Sequence, residues 1–274
     1  MAEQQTQRAI VVILDVLGVS TLSIEACKEF ISKREKLIAA IKERNQGYLL
    51  PLIKGFFAIS VPEPEFITFG DTILIIWQYE NPNDDANLLM AMALILKQAF
   101  VQGLRQHNLI LRGAISTGEL IRDQTTVLGP AVADAASWYS KGDWIGIIAT
   151  PQTGMKIAAF ERSKPASEMR SVFDSPPEKI LSPWYVQYPV PLTDKREMEL
   201  WCLAWPADFL HATGNIEAGR FAFFEALSKC PIPIGTEKKY LNTVNFFKWF
   251  DSSVDRTWWP ETPVNPDEND TPAT

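Results

Sequence analysis

Two aspartates stand where strand-like runs end. In RAIVVILDVLGVS, Asp15 closes an apolar run of Ile and Val; in EFITFGDTILIIW, Asp71 follows Gly70 between two further strand-like runs. If those strands lie side by side, both carboxylates reach one end of a sheet, and paired carboxylate oxygens suit a hard divalent cation. Each alone has an ordinary reading, Asp15 as a cap near a helix start and Asp71 as a turn residue, because Gly-Asp is a known hairpin dipeptide. The segment after Asp15 adds a second feature. The backbone N–H groups of Leu17, Gly18, Val19 and Ser20 lead into a predicted helix N-terminus, an arrangement that favours phosphate.

The elements that must position these residues follow from periodicity. Ala9–Leu14 is a continuous apolar run and reads as a buried central strand. Leu22–Glu43 reads as a helix, with Ile24, Cys27, Ile31, Ile38 and Ile41 near helical spacing and Ser20 or Thr21 as its cap. Glu65–Phe69 and Thr72–Gln78 form a hairpin around Gly70-Asp71, and a buried helix spans about Asp84 to Gln106. Leu109–Ser116 is a strand; Glu119–Arg122 and Thr125–Leu128 form a second hairpin. Pro130–Ser140 is an Ala-rich helix with Pro in its first turn, Ile145–Ala149 a strand and Pro151–Phe160 a short helix. The order predicts an α+β fold, a ferredoxin-like split βαβ arrangement with a mostly antiparallel sheet.

Beyond about residue 160 the texture changes. A polar, Pro-rich linker precedes a hairpin, Trp184–Tyr188 with Glu197–Trp205, and two amphipathic helices, Ile216–Ser228 and Glu237–Ser252. We therefore expect a first domain over residues 1–160, a C-terminal hairpin and helical extension over 161–255 packed on it, and a disordered acidic tail over 256–274.

Composition narrows the function classes. A net charge of −7 offers no broad basic field for duplex nucleic acid, so nucleic-acid binding is not expected. The three Cys and two His fit neither a disulfide framework nor a zinc spacing. The N-terminus has no signal-peptide pattern. The most apolar stretch, Ala86–Leu96, is closed by Lys97 well short of the ~20 residues a bilayer needs. A cytoplasmic protein without a membrane span is expected.

Four blocks in order carry a resemblance. ILDVLGVS resembles the opening strand-turn of class III nucleotidyl cyclases, with Asp15, Val16, Leu17, Gly18 and Ser20 matching and Val19 in place of the usual Phe. FGDTILIIW is similar to the family's Gly-Asp hairpin, LRGAISTGEL to its next strand, and TVLGPAVADAA to its Thr-Val-Ile-Gly segment and Ala-rich helix. The resemblance covers residues 8 to 160. It implies that Asp15, Asp71 and the Val16 carbonyl bind two divalent ions, Mg2+ or Mn2+. These would activate a ribose 3′-oxygen and hold the triphosphate. It also implies a homodimer with sites at the interface.

The chain departs from the family at several places. Where the family carries an Asn and, four residues on, an Arg on the Ala-rich helix, this chain has Ala133 and Ser137. Arg112 is the nearest replacement cation, unless it is merely an exposed strand charge; Arg122 and Lys141 are weaker substitutes. At the purine-reading positions stand Ile67 and Thr126, which leave little to read a purine edge. Tyr48 can stack on a base or simply pack in the core or on the surface. These departures, with RGAIS and the C-terminal region, resemble the pyrimidine cyclases of bacterial Pycsar antiphage defence. That resemblance implies UTP or CTP as substrate, cyclic UMP or cyclic CMP as signal, and a separate effector protein that senses it. Two alternatives stand beside it: an adenylate or guanylate cyclase with an atypical base pocket, and an inactive cyclase-fold module that binds nucleotide or pairs with another protein.

Overall fold

The computed structural model describes residues 6–19, 22–47, 61–123, 125–163, 184–211 and 215–253. Ser20, Tyr48, the Pro-rich linker and the acidic tail lie outside the described residues.

The elements run β1 (Thr6–Val16), α1 (Ile24–Gly47), β2 (Glu65–Phe69), β3 (Thr72–Tyr79), α2 (Asp85–His107), β4 (Leu111–Arg122), β5 (Val127–Leu128), α3 (Pro130–Trp138), β6 (Ile147–Ala149), α4 (Pro151–Ser163), β7 (Tyr185–Pro191), β8 (Glu197–Leu203), α5 (Pro206–His211), α6 (Ile216–Ser228) and α7 (Glu237–Ser253). One sheet holds all the strands in the order β2-β3-β1-β4-β6-β8-β7, with β5 paired to the end of β4. The first four strands in spatial order, β2-β3-β1-β4, are two interleaved split βαβ units. Among the described strands only β4 and β6 pair in parallel, so the fold is α+β with a mostly antiparallel sheet.

β1 is central because both its faces are covered. Ile10, Val12, Leu14 and Val16 face the main core under α1 and α2, while Ala9, Val11 and Ile13 join a smaller cluster under α3. Alternation along a strand requires such a division, which is why the run is apolar throughout. α3 sits close to the sheet because small residues meet there: Gly118 lies against Ala131, and the Ser116 hydroxyl donates to the Ala131 carbonyl at 2.5 Å.

The C-terminal hairpin continues the same sheet through β8, with Ile148 opposite Cys202. Its helices share the main core. Trp205 stacks on Phe100 of α2 at 4.8 Å, and Phe223 of α6 stacks on Phe247 of α7 at 4.1 Å. Aromatic pairs of this kind add about 0.5–1.5 kcal/mol beyond their area burial.

Several boundaries differ from expectation for local physical reasons. α1 starts later, where the Ser23 hydroxyl accepts from the Ala26 N–H at 3.3 Å, so Ser23 is the cap rather than Ser20 or Thr21. Its buried face is Phe30, Leu37, Ile38 and Ile41; Ile24 and Ile31 are 71% and 47% exposed. The two strands expected within 109–122 are one, and its hairpin partner β5 is only two residues long. The turn between them is closed by the Asp123 carboxylate, which accepts from the N–H groups of Thr125 and Thr126 at 3.0 Å each. The helix runs on past Lys97, as expected, but that side chain is fully buried and pairs with Asp208 of α5 at 2.9 Å. The segment Pro82–His107 has the length and composition to cross a membrane, but 78% of its most apolar window is buried, so its apolar surface forms the core.

Candidate active site

The register of β1 places Asp15 between Thr72 of β3 and Arg112 of β4. Just beyond Asp15, the Val16 N–H donates to the Asp71 carbonyl at 3.1 Å. The two aspartates therefore occupy consecutive levels of one strand end, with Asp15 nearly buried at 7% exposure and Asp71 half-buried. Because paired residues share a face, Asp15 and Arg112 project on the α3 side of the sheet. There Arg112 Nε donates to Asp15 Oδ2 at 2.7 Å.

The hairpin turn does not need an aspartate for its shape. Gly70 takes the positive φ, +58°, and Asp71 has no such requirement. The turn is held from α1, where the Arg34 guanidinium donates to the Gly70 carbonyl at 3.0 Å. Sequence reasoning missed Arg34. Its signal was a cation at helical spacing from Phe30, Leu37 and Ile41, on the stripe that meets the core, and a charge on such a stripe needs a specific polar partner.

The loop after β1 differs from the expected phosphate cradle. The Leu17 N–H donates to the Ile110 carbonyl at 2.9 Å and is not available to a ligand. Gly18 adopts φ +88°, and the Val19 carbonyl accepts from the Leu22 N–H at 3.1 Å. Among its described residues, Gly18 takes a left-handed backbone.

Other expected residues fall elsewhere. Thr126 lies beyond Arg122, at the opposite end of β4 from Arg112. Ten residues at ~3.3 Å each separate those arginines by about 30 Å, so Thr126 and Asp15 of one chain do not share a pocket. Arg122 pairs with Glu65 of β2, which removes it from the Asp15 end of the sheet. Ile67 pairs with Leu74, two residues along the hairpin from Phe69, and both Ile67 and Phe69 are exposed, at 39% and 86%. Ala133 and Ser137 are both exposed on one face of α3, and the Ser137 hydroxyl donates back to the Ala133 carbonyl at 2.8 Å. Lys141 is exposed, and its carbonyl accepts from the Thr193 N–H at 2.9 Å. Of the expected cluster, the backbone register sets the positions of Asp15, Val16, Asp71 and Arg112 side by side at one strand end, and the side-chain contact there is that of Arg112 with Asp15.

Among the described residues, no three His, Cys, Asp or Glu are grouped to hold a metal ion by themselves. The donor set at Asp15 and Asp71 suits a different arrangement. Mg2+ is commonly held by one or two carboxylates, with water and substrate phosphate oxygens completing the shell. A separate hollow of about 470 Å3, lined by residues such as Arg8, Gln78 and Tyr79, opens at the other end of β1 and β3.

No family profile matches the chain, and no curated protein does. Among solved structures, the adenylyl cyclase CyaB from P. aeruginosa aligns with a TM-score of 0.44 at 14% identity, over 73% of this chain and 95% of that one. An adenylate/guanylate cyclase/hydrolase from Silicibacter pomeroyi aligns with a TM-score of 0.39 at 17% identity, over 73% and 98%. Likeness at this level is too slight to carry a conclusion about this chain, so its chemistry is argued from its own geometry.

Proposed function

We propose that the chain is a nucleotidyl cyclase that converts a pyrimidine nucleoside triphosphate, UTP or CTP, to its 3′,5′-cyclic monophosphate and pyrophosphate. The observation that carries this reading is the strand-end group: Asp15 bound to Arg112, with Asp71 tied by its main chain to the next residue of β1. Two carboxylates and one guanidinium at the end of a buried strand match the needs of intramolecular phosphoryl transfer. The carboxylates are oxygen donors for divalent ions, and the guanidinium is a fixed cation for phosphate oxygens.

Asp15 and Asp71, with the Val16 carbonyl, are the groups that would hold Mg2+ or Mn2+, two ions per site. Bound there, the ions would lower the pKa of the ribose 3′-hydroxyl and offset charge on the departing pyrophosphate. Arg112 orients the Asp15 carboxylate and supplies the positive charge nearest to it. That supports Arg112 for the role left open by Ala133 and Ser137.

The separation of Thr126 from Asp15 favours a homodimer. A base that meets Thr126 while its phosphates meet Asp15 needs those groups from two copies of the chain. The exposed Ile67 and Phe69 belong to the sheet face that bears Asp15, and supply apolar surface for such a pairing. An aliphatic side chain and a hydroxyl provide little hydrogen-bonding capacity for a purine edge, hence the smaller base. The resemblance to pyrimidine cyclases extends the reading to a cytoplasmic antiphage signal sensed by a separate effector.

One observation favours a second reading, an inactive nucleotide-binding module: the outer face of α3 offers no cation or amide at Ala133 and Ser137. Incubating the purified protein with each of the four ribonucleoside triphosphates and Mn2+ separates the readings. Cyclic UMP or cyclic CMP as the main product supports the proposal. A purine product removes the pyrimidine assignment, and no product with any triphosphate favours the module.

A further inference from the structure

The C-terminal segment contacts the turn that follows Asp15 and the segment that pairs with the neighbour of Arg112. On the β1 side, Pro233 packs on Gly18: a Cβ built on Gly18 would lie 3.0 Å from the Pro233 Cγ. Gly18 is also at φ +88°, so the loop combines a left-handed residue with a close ring contact that a larger side chain would disturb. On the β4 side, α7 is pinned to the segment that precedes β6. The Ile145 N–H donates to the Thr243 hydroxyl at 2.8 Å, and Asn242 Nδ2 donates to the Asp143 carbonyl at 2.6 Å. The next residue, Gly146, accepts from the N–H of Gly113, the neighbour of Arg112, at 3.0 Å.

The segment between these contacts is stiff. The Thr236 N–H and hydroxyl both donate to the Pro233 carbonyl, at 3.0 and 2.7 Å. The buried Tyr240 hydroxyl donates to the Pro231 carbonyl at 2.9 Å, and the Gly235 N–H donates to the Glu237 carboxylate at 3.1 Å. Two prolines with fixed φ remove further freedom. A rigid loop mounted on a helix, with its base beside β4 and its tip on the turn after β1, sets the distance between those two parts of the site.

We propose that residues 231–243 are a brace for the nucleotide site, and that Pro233 is a positioning residue that fixes the Gly18 turn relative to Arg112. The inference rests on the proposed cyclase reading for its effect on catalysis, but not for its effect on the turn. The brace gives the C-terminal region a role in the chemistry without placing any of its side chains on the reacting atoms.

The test is Pro233→Gly in the full chain, with Thr236→Val as a second variant that removes the hydroxyl bond to the Pro233 carbonyl. Amide hydrogen exchange across residues 16–23 is expected to quicken by at least tenfold in Pro233→Gly, and by less in Thr236→Val. Exchange in the centre of β1 should stay unchanged. For the triphosphate that is turned over, KM should rise about tenfold while kcat stays within threefold, because the turn carries no reacting group and follows directly on Asp15 and Val16, which would hold the metal-bound triphosphate. Unchanged exchange at residues 16–23 in both variants overturns the brace, whatever the activity. Faster exchange with KM unchanged overturns the positioning role. Faster exchange in a protein that makes no cyclic product in any form upholds the brace and removes the cyclase reading instead.

Discussion

Arg112 Nε lies 2.7 Å from Asp15 Oδ2, across adjacent strands from residues 97 positions apart in the chain. Both side chains are largely shielded, 19% and 10% exposed. The contact therefore has more consequence than a surface ion pair, and it joins a candidate metal ligand to a candidate phosphate-binding cation.

Arg112→Ala should lower kcat by about 10²–10³-fold, the usual effect of removing one preorganised charge-stabilising group. It should also destabilise the fold by about 1–3 kcal/mol, because the nearly buried Asp15 loses its hydrogen-bond partner. A double-mutant cycle with Asp15→Asn, followed by thermal unfolding, measures the coupling. If the two substitutions simply add in stability, the contact is not maintained in solution.

The buried Lys97–Asp208 pair predicts a different pattern. Asp208→Ala leaves an ammonium in the core and should cost about 2–4 kcal/mol. Adding Lys97→Met to that variant should recover most of the loss, since an apolar side chain of similar length fills the same space. Denaturant unfolding of the three variants checks this.

Asp143 anchors α7 through Lys239 at 3.0 Å and Lys238 at 3.1 Å. Burial works to raise the pKa of its carboxyl, but the hydrogen bonds from Lys239 and Lys238 outweigh this and hold it below the ordinary 3.8. A carboxyl depressed in the folded state adds stability above its unfolded pKa and loses it as pH falls through the folded value. The stability gap between the unmodified protein and Asp143→Asn should thus be constant above about pH 5 and shrink below pH 4. Urea unfolding at a series of pH values measures the gap.

The three thiols should not react alike. Cys202 and Cys230 are buried, at 0% and 3% exposure, and burial raises both thiols, that of Cys230 to about 11. Cys27 is half-buried on α1. A thiol reagent at neutral pH should modify Cys27 first and the other two only on unfolding, as mass spectrometry of the labelled peptides would report.

What the sequence made legible was what depends on local pattern. The unbroken apolar run at Ala9–Leu14 marks a strand covered on both faces, and Gly70 with its flanking alternation marks the β2–β3 hairpin. Pairings set by register were less visible. That Arg112 meets Asp15, rather than pointing to solvent, depends on how β4 slides along β1, and a shift of one residue would have placed them on opposite faces. The α1 stripe was misjudged because Ile24 and Ile31 fit helical spacing as well as Phe30 and Leu37 do; only the packing of α2 chooses between them. Lys97 reads as the end of an apolar stretch, and its pairing is invisible in the sequence, because its partner, Asp208, lies in a short helix that has no periodic signal of its own. The contact of the Pro233 loop with Gly18 is not legible in the sequence, since nothing in PIPIGT signals it.

The central claim is that Asp15 and Asp71 act together on a nucleoside triphosphate. Its most direct test is product formation from UTP and CTP with Mn2+ by the unmodified protein and by Asp71→Ala, with circular dichroism to confirm that the variant is folded. The account predicts a cyclic pyrimidine monophosphate and an equal amount of pyrophosphate from the former, and a loss of at least 10³-fold in the latter. A folded Asp71→Ala protein that still forms the product at an undiminished rate would contradict it.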